Sequence, residues 1–129
     1  DRQRGSLLGR YTTTVDGMFE EQSAPQTMGD RQGLRQLTLS NDGTQLQIAT
    51  EGMVAFSLSH FDDAQFNYDV FYGGKHPYDL VRSPQVFAHF DFWQRGIGNR
   101  SCGGDSCLPQ YMTPTGAHAF TLRFTPMAK

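Results

Sequence analysis

Apolar and polar residues alternate with a period of two wherever the chain is legible, the pattern of strands that turn one face toward a core. Leu37 and Leu39 alternate with polar neighbours, Asn41-Asp42-Gly43-Thr44 interrupts them, and Leu46 and Ile48 resume the alternation. Asn, Asp and Gly tolerate the positive φ that a tight reversal needs, so this stretch predicts a β-hairpin. Val54, Phe56 and Leu58 form the next set. Val86, Ala88, Phe90 and Phe92 form another, with His89 and Asp91 on the opposite face. Phe120, Leu122 and Phe124 form the last, with Thr121, Arg123 and Thr125 facing away. On this reading Phe90 and Phe120 are core residues.

Between these sets the sequence is less regular. Thr12-Thr13-Thr14-Val15 is β-branched and suits a strand or an extended arm. Asp62-Asp63-Ala64-Gln65-Phe66 can open a helical turn after a cap, within an ambiguous segment that runs to Tyr72. Ala24 to Gly33 and Gly96 to Gly104 are rich in glycine and polar residues and read as irregular. No internal repeat or low-complexity tract is present. The expected fold is therefore all-β, with antiparallel strands packed as a sandwich and no long helix.

Composition narrows the function classes. At 129 residues the chain has room for one compact domain, 1–129, but not for two. Phenylalanine supplies 10 residues, which makes the expected core aromatic-rich. The net charge of −2 offers no electrostatic case for nucleic acid or an anionic membrane. Nine of the 11 basic residues are arginines, scattered from Arg2 to Arg123, and read mainly as surface ion-pair partners. The longest apolar run, Met53-Val54-Ala55-Phe56, is too short to cross a bilayer. Asp1-Arg2-Gln3-Arg4-Gly5 lacks a following apolar region and does not read as a signal peptide. The absence of an initiator methionine points to a piece of something longer. Two cysteines, Cys102 and Cys107, are too few for a disulfide scaffold or for a zinc site of their own.

Candidate chemistry is sparse. Glycoside hydrolysis needs two carboxyl groups flanking the scissile bond. The three glutamates are Glu20, Glu21 and Glu51, and adjacent residues in an extended chain point to opposite faces. No catalytic pair is assigned, and no metal site. Cys102 with one of His60, His76, His89 or His118 makes a weak nucleophile-and-base candidate. His89 reads better as the partner of a neighbouring polar group. Gly96-Ile97-Gly98-Asn99-Arg100-Ser101 fails as a phosphate loop, because its third glycine is missing and Cys102-Gly103-Gly104 stands where a helix should start. It still marks a place where the backbone must bend sharply, and such loops often carry function.

The run His89-Phe90-Asp91-Phe92-Trp93-Gln94-Arg95-Gly96-Ile97-Gly98-Asn99-Arg100-Ser101-Cys102-Gly103, followed by Leu108-Pro109-Gln110-Tyr111, resembles the final strand, loop and strand of glycoside hydrolase family 2 β-galactosidases. Phe120 to Phe124 fits that last strand. Pro25-Gln26-Thr27-Met28-Gly29-Asp30-Arg31 with Leu34-Arg35 is similar to the family's Pro-Gln-Glu-x-Gly-Asn-Arg segment. Thr27 stands where Glu is usual and Asp30 where Asn is common. His76-Pro77-Tyr78-Asp79-Leu80 resembles the family's His-Pro-x-Glu-Leu element. The three motifs occur in the family's order and cover most of the chain from Tyr11 onward.

The resemblance implies the latter part of a larger C-terminal β-sandwich. The catalytic glutamates would lie on a separate barrel upstream, and the parent would be a retaining enzyme acting on terminal β-D-galactosides such as lactose. The loop Asn99, Arg100, Ser101 and Cys102 would line the active-site rim. Cys102 occupies the position where some members carry a tryptophan that stacks on substrate, so that stacking role does not carry over. Partners would be the remaining domains of a parent enzyme, itself a homo-oligomer, and the galactoside. The Mg and Na ions common in the family would be bound elsewhere, with no cofactor in this chain. A cytoplasmic location is expected, with no nucleic-acid or membrane partner. The competing reading is a stand-alone carbohydrate-binding module, for which Trp93, the single tryptophan, would have to supply the aromatic platform.

Overall fold

A computed structural model describes residues 8–21, 29–66, 75–94 and 107–128. Among these residues four strands form one sheet: β1 (Arg31–Ser40), β2 (Thr44–Ser59), β3 (Phe87–Asp91) and β4 (Leu122–Ala128). β2 is the common partner, bonded to β1, to β3 and, antiparallel, to β4. The helical segments among the described residues are single 3₁₀ turns: Asp16–Met18, Asp63–Phe66, Pro77–Asp79 and Pro109–Tyr111. Among the described residues the chain is thus all-β with no long helix, as its periodicity predicts.

The hairpin forms where the sequence places it. The Asn41 N–H donates to the Thr44 carbonyl at 3.1 Å, enclosing Asp42 and Gly43. Gly43 has φ +116, a conformation that a Cβ would strain. Beyond the turn β2 is continuous through Ser59, so the Leu46–Ile48 and Val54–Leu58 alternations belong to one strand.

Contacts group the chain into two units. One combines Asp1–Leu34 with Ala55–Phe90, the other Arg35–Val54 with Asp91–Lys129. In the first, Leu34, Ala55 and Leu58 are buried, together with Met18 and Ser57. In this stretch both sides of β2 are covered, whereas a strict one-face alternation would leave Ala55 and Ser57 open. Phe19 and Phe61 pack with ring centroids 4.9 Å apart. In the second, Ile48 and Val54 are nearly inaccessible and Cys107 is a buried free thiol. A seven-residue register, Thr44↔Ala128 through Thr50↔Leu122, ties β4 to β2.

Three expectations are corrected. The β3 face drawn through Val86, Ala88, Phe90 and Phe92 is wrong at its start, for Val86 and Ala88 are exposed and Phe87 and His89 half-buried. Phe90 is half-buried rather than fully enclosed. The last strand begins at Leu122, and Phe120, before it, is 62% exposed; it stacks on one ring instead of entering a core. Phe124 lies opposite buried Ile48 in the register yet is itself 55% exposed. Lastly, the segment read as irregular up to Gly33 already enters β1 at Arg31. Thr12–Thr14 is exposed and without regular structure, and the Thr14 hydroxyl accepts from the Gly17 N–H at 3.0 Å.

Candidate functional site

The rim residues expected from sequence, Asn99, Arg100, Ser101 and Cys102, lie outside the described residues, as does the whole Gly96–Gly104 stretch. The chain on either side of them is described. It carries an aromatic cluster that belongs entirely to the second unit.

On the upstream side β3 ends at Asp91 and delivers Phe92, Trp93 and Gln94. On the downstream side the chain makes a single turn at Pro109–Tyr111, then runs as an extended connection to β4. Proline starts that turn because it needs no hydrogen-bonded N–H at a helix's first position. The connection brings His118 and Phe120 against the first group. Phe92 and Phe120 stack with centroids 4.4 Å apart and planes 25° from parallel. Trp93 and His118 meet at 4.5 Å, tilted by 52°, and Phe92 and Trp93 at 6.3 Å. Such offset and tilted arrangements are those preferred by ring quadrupoles. His118 Nε2 is 3.0 Å from the Pro114 carbonyl, which fixes the imidazole's orientation. Gln94 Nε2 donates to Asp91 Oδ2 at 3.4 Å. Trp93 is 43% exposed.

In the first unit the polar groups are mostly engaged with each other. Arg82 grips Asp16 with two bonds, Nε to Oδ1 at 3.2 Å and Nη2 to Oδ2 at 3.1 Å. The hydrogen bond from Arg82, helped by the positive charges of Arg82 and His60 and opposed by desolvation, holds the Asp16 carboxyl below its ordinary value. His60 Nδ1 meets the Gln85 carbonyl at 2.9 Å, and its Nε2 lies 4.0 Å from Asp16. Gln65 clamps the Val81 backbone, donating to its carbonyl at 3.0 Å and accepting from its N–H at 2.7 Å. Arg31 pairs with Glu20 at 3.1 Å. His89 does find a polar neighbour, Asp63, at 2.9 Å. The His-Pro element forms the turn Pro77–Asp79, closed by the His76 N–H donating to Asp79 Oδ2 at 2.9 Å, with Tyr78 stacked on His76.

These pairings are structural in character. Glu20 and Asp16 each face an arginine, and Asp63 a histidine. Among the described residues no group of three or more His, Cys, Asp or Glu side chains is placed to hold a metal ion. No described helix is long and apolar enough to cross a membrane. Sequence reading missed the cluster of Trp93, His118 and Phe120. Its signal was present in aromatic residues just after one predicted strand and just before another, but nothing local says that two strand ends meet.

Comparison with known proteins agrees with the family resemblance. The family described as β-galactosidase small chain matches residues 1–125. A β-galactosidase of Vibrio cholerae serotype O1 is 27% identical over 125 residues, which is 95% of this chain and 11% of that protein. A β-galactosidase of Streptococcus thermophilus is 26% identical over 124 residues, 96% of this chain and 12% of that protein. The chain therefore spans about one-ninth of the length of these curated relatives. With nearly its whole length matched by one family, residues 1–125 of 129, the chain belongs to the β-galactosidase small chain family.

Proposed function

We propose that the chain is the C-terminal sandwich region of a larger retaining β-galactosidase of glycoside hydrolase family 2, acting on terminal β-D-galactosides such as lactose. The observation that carries the reading is the combination of a family match over residues 1–125 with coverage of only 11–12% of each full-length relative. A segment of this kind contributes scaffold and rim, and the two carboxyl groups that retaining hydrolysis requires come from elsewhere in the parent. The carboxylates of Asp16, Glu20 and Asp63, each engaged with a basic side chain, fit that division of labour. The remaining strands of the sandwich, and further subunits, would cover the apolar side chains left open on β4.

In this reading Asn99 and Arg100 donate hydrogen bonds to sugar hydroxyls at the rim, and Ser101 and Cys102 complete the loop. The test is steady-state kinetics of the full-length parent. Asn99→Ala and Arg100→Ala should raise KM while leaving the melting temperature unchanged. Cys102→Ala should alter kcat/KM by less than about tenfold, since a small side chain offers little stacking area. Unchanged kinetics in all three, and equally in Cys102→Trp, would reduce the loop to a connection. The isolated chain should hydrolyse no chromogenic galactoside; turnover by rigorously purified chain would overturn the assignment of the carboxylates to the rest of the parent.

A further inference from the structure

We propose that the β1–β2 turn is a site of spontaneous covalent modification, at which Asp42 and Gly43 cyclise to a succinimide and reopen as isoaspartate, while the fold protects the same dipeptide at Asp16–Gly17. The inference goes beyond the β-galactosidase reading and does not depend on it. The sequence holds two Asp-Gly pairs and no Asn-Gly pair. A glycine that follows an aspartate has no side chain to shield its amide from the neighbouring carboxyl, so in an unfolded chain the two pairs would age alike. The structure separates them.

The attacking amides are matched, for each is already engaged: Gly17 N–H donates to the Thr14 hydroxyl at 3.0 Å and Gly43 N–H to the Asn41 carbonyl at 2.7 Å. The carboxyl groups differ. Both oxygens of Asp16 are held by Arg82, and that hydrogen bond keeps Asp16 ionised further into acid, in the form that is the poorer electrophile. Asp42 is exposed, and among the described residues nothing bonds its side chain. The backbones differ as well. Ring closure requires the aspartate's own backbone to rotate, and Asp16 sits in a 3₁₀ turn closed by Met18 N–H to the Val15 carbonyl and Phe19 N–H to the Asp16 carbonyl. A Cβ built on Gly17 would meet the Thr13 hydroxyl oxygen at 2.6 Å, whereas nothing lies within 4 Å of one built on Gly43. Asp16 is thus clamped and crowded, and Asp42 is open.

The step needs no reagent other than water. The Gly43 nitrogen attacks Cγ of the neutral Asp42 carboxyl, a C–N bond forms, and the carboxyl's hydroxyl leaves with the amide proton as water. A second water then opens the cyclic imide at either carbonyl. One opening returns aspartate; the other runs the main chain through the Asp42 side chain and leaves a free α-carboxylate, with no net change in mass. That product adds a methylene to the two residues enclosed by the Asn41–Thr44 bond, and in a hairpin the length of the turn fixes the register of the strands.

The experiment incubates the full-length protein that carries this chain, at neutral pH in water labelled with heavy oxygen, and maps its peptides. Isoaspartate appears as a separate peak bearing one heavy oxygen, and it accepts a methyl group from S-adenosylmethionine in the presence of an isoaspartyl methyltransferase. In the folded protein the Asp42 peptide should convert at least about threefold faster than the Asp16 peptide, the scale of a single exposed ion pair. In denaturant the two rates should converge. Arg82→Ala should speed conversion at Asp16, and Asp42→Ser should abolish the hairpin signal. Equal rates in the folded protein would overturn the proposal, as would no isoaspartate at Asp42 over a period in which the denatured chain forms it. Rates that stay apart in denaturant would trace the difference to neighbouring sequence and overturn protection by the fold.

Discussion

The two units of the chain are held by different means. Beside the pairing of β2 with β3, the first relies on side chains that reach across irregular connections: Arg82 to Asp16, Gln65 to the Val81 backbone, His60 to the Gln85 carbonyl and His89 to Asp63. The second relies on a backbone ladder, seven paired residues of β2 and β4, and on stacked rings. The contrast follows from what each has to fix. A ladder positions strands at regular intervals and leaves side chains free for other roles. Long connections such as residues 60–66 and 75–86 have no ladder, and their backbone groups must be met one by one. The first unit, with long connections beside its paired strands, has therefore engaged many of its polar side chains with itself, while the second leaves aromatic side chains such as Trp93 and Phe120 exposed.

Substitutions at the core of β2 should have the largest effect and should not distinguish the units. Ile48→Ala in the second and Leu58→Ala in the first each remove a buried branched side chain and should cost about 2–5 kcal/mol in urea unfolding. A loss below about 1 kcal/mol at either site would mean that its unit is not stably packed. Gly29→Ala should come next and act on the first unit alone. Gly29 has φ +76, and a Cβ there would stand 2.4 Å from the Met18 carbonyl oxygen. Strain in that backbone region costs on the order of 1–3 kcal/mol before the collision is relieved. Protease susceptibility near Met18 is the readout, and an unaffected cleavage pattern would argue against the close approach.

Gln65→Ala sharpens the contrast further, for it leaves both Val81 backbone groups without the clamp. A cost of about 1–2 kcal/mol is expected, with Gln65→Glu, which keeps the acceptor and loses the donor, falling between. The smallest effect is the pH dependence of the Asp16–Arg82 pair. Because the folded state lowers the Asp16 pKa, the pair's contribution is present above the unfolded value of about 3.9 and is lost as pH falls through the folded one. Asp16→Asn should flatten the stability profile only in that acid range, and by an amount that salt diminishes, since Asp16 is solvent-exposed. A change centred near neutral pH would point to another group.

The same contrast explains what could be read in advance. The hairpin was legible because its determinants are adjacent in sequence, Leu37 and Leu39, the Asn41–Gly43 turn, then Leu46 and Ile48. The all-β class followed from several such runs. The phase of β3 was not legible, because Phe87 and Phe90 lie on opposite sides of a short strand and either set of alternate residues can be drawn as apolar. Ser57 and Ala55 gave no sign of burial, since small residues fit covered and open positions alike. Phe120 was misplaced because an aromatic residue before a strand looks like its first member; only its contact with Phe92 shows that it turns toward another segment. The Asp16–Arg82 and Gln65–Val81 partnerships join residues far apart in sequence, and no local pattern announces them. Gly96–Gly104 lies outside the described residues; its reading as a bend rests on its glycines, and the proposed rim role of Asn99–Cys102 on family likeness alone.

The pairing of Thr44–Thr50 with Leu122–Ala128 also has a consequence in time. During synthesis β2 is complete while its partner has yet to be made, and about seventy further residues must be added before that edge is closed, an interval of roughly 4–15 s at ordinary elongation rates. Until then the ribosome holds a nascent chain with an open seam of unpaired amides, the kind of edge that recruits stray strands. Pro126, which lies opposite Leu46, withholds an amide from β4 and limits how far the finished edge can be extended by a neighbour. Expression yield should accordingly depend on elongation speed between Glu51 and Thr121 more than on the stability of the finished sheet.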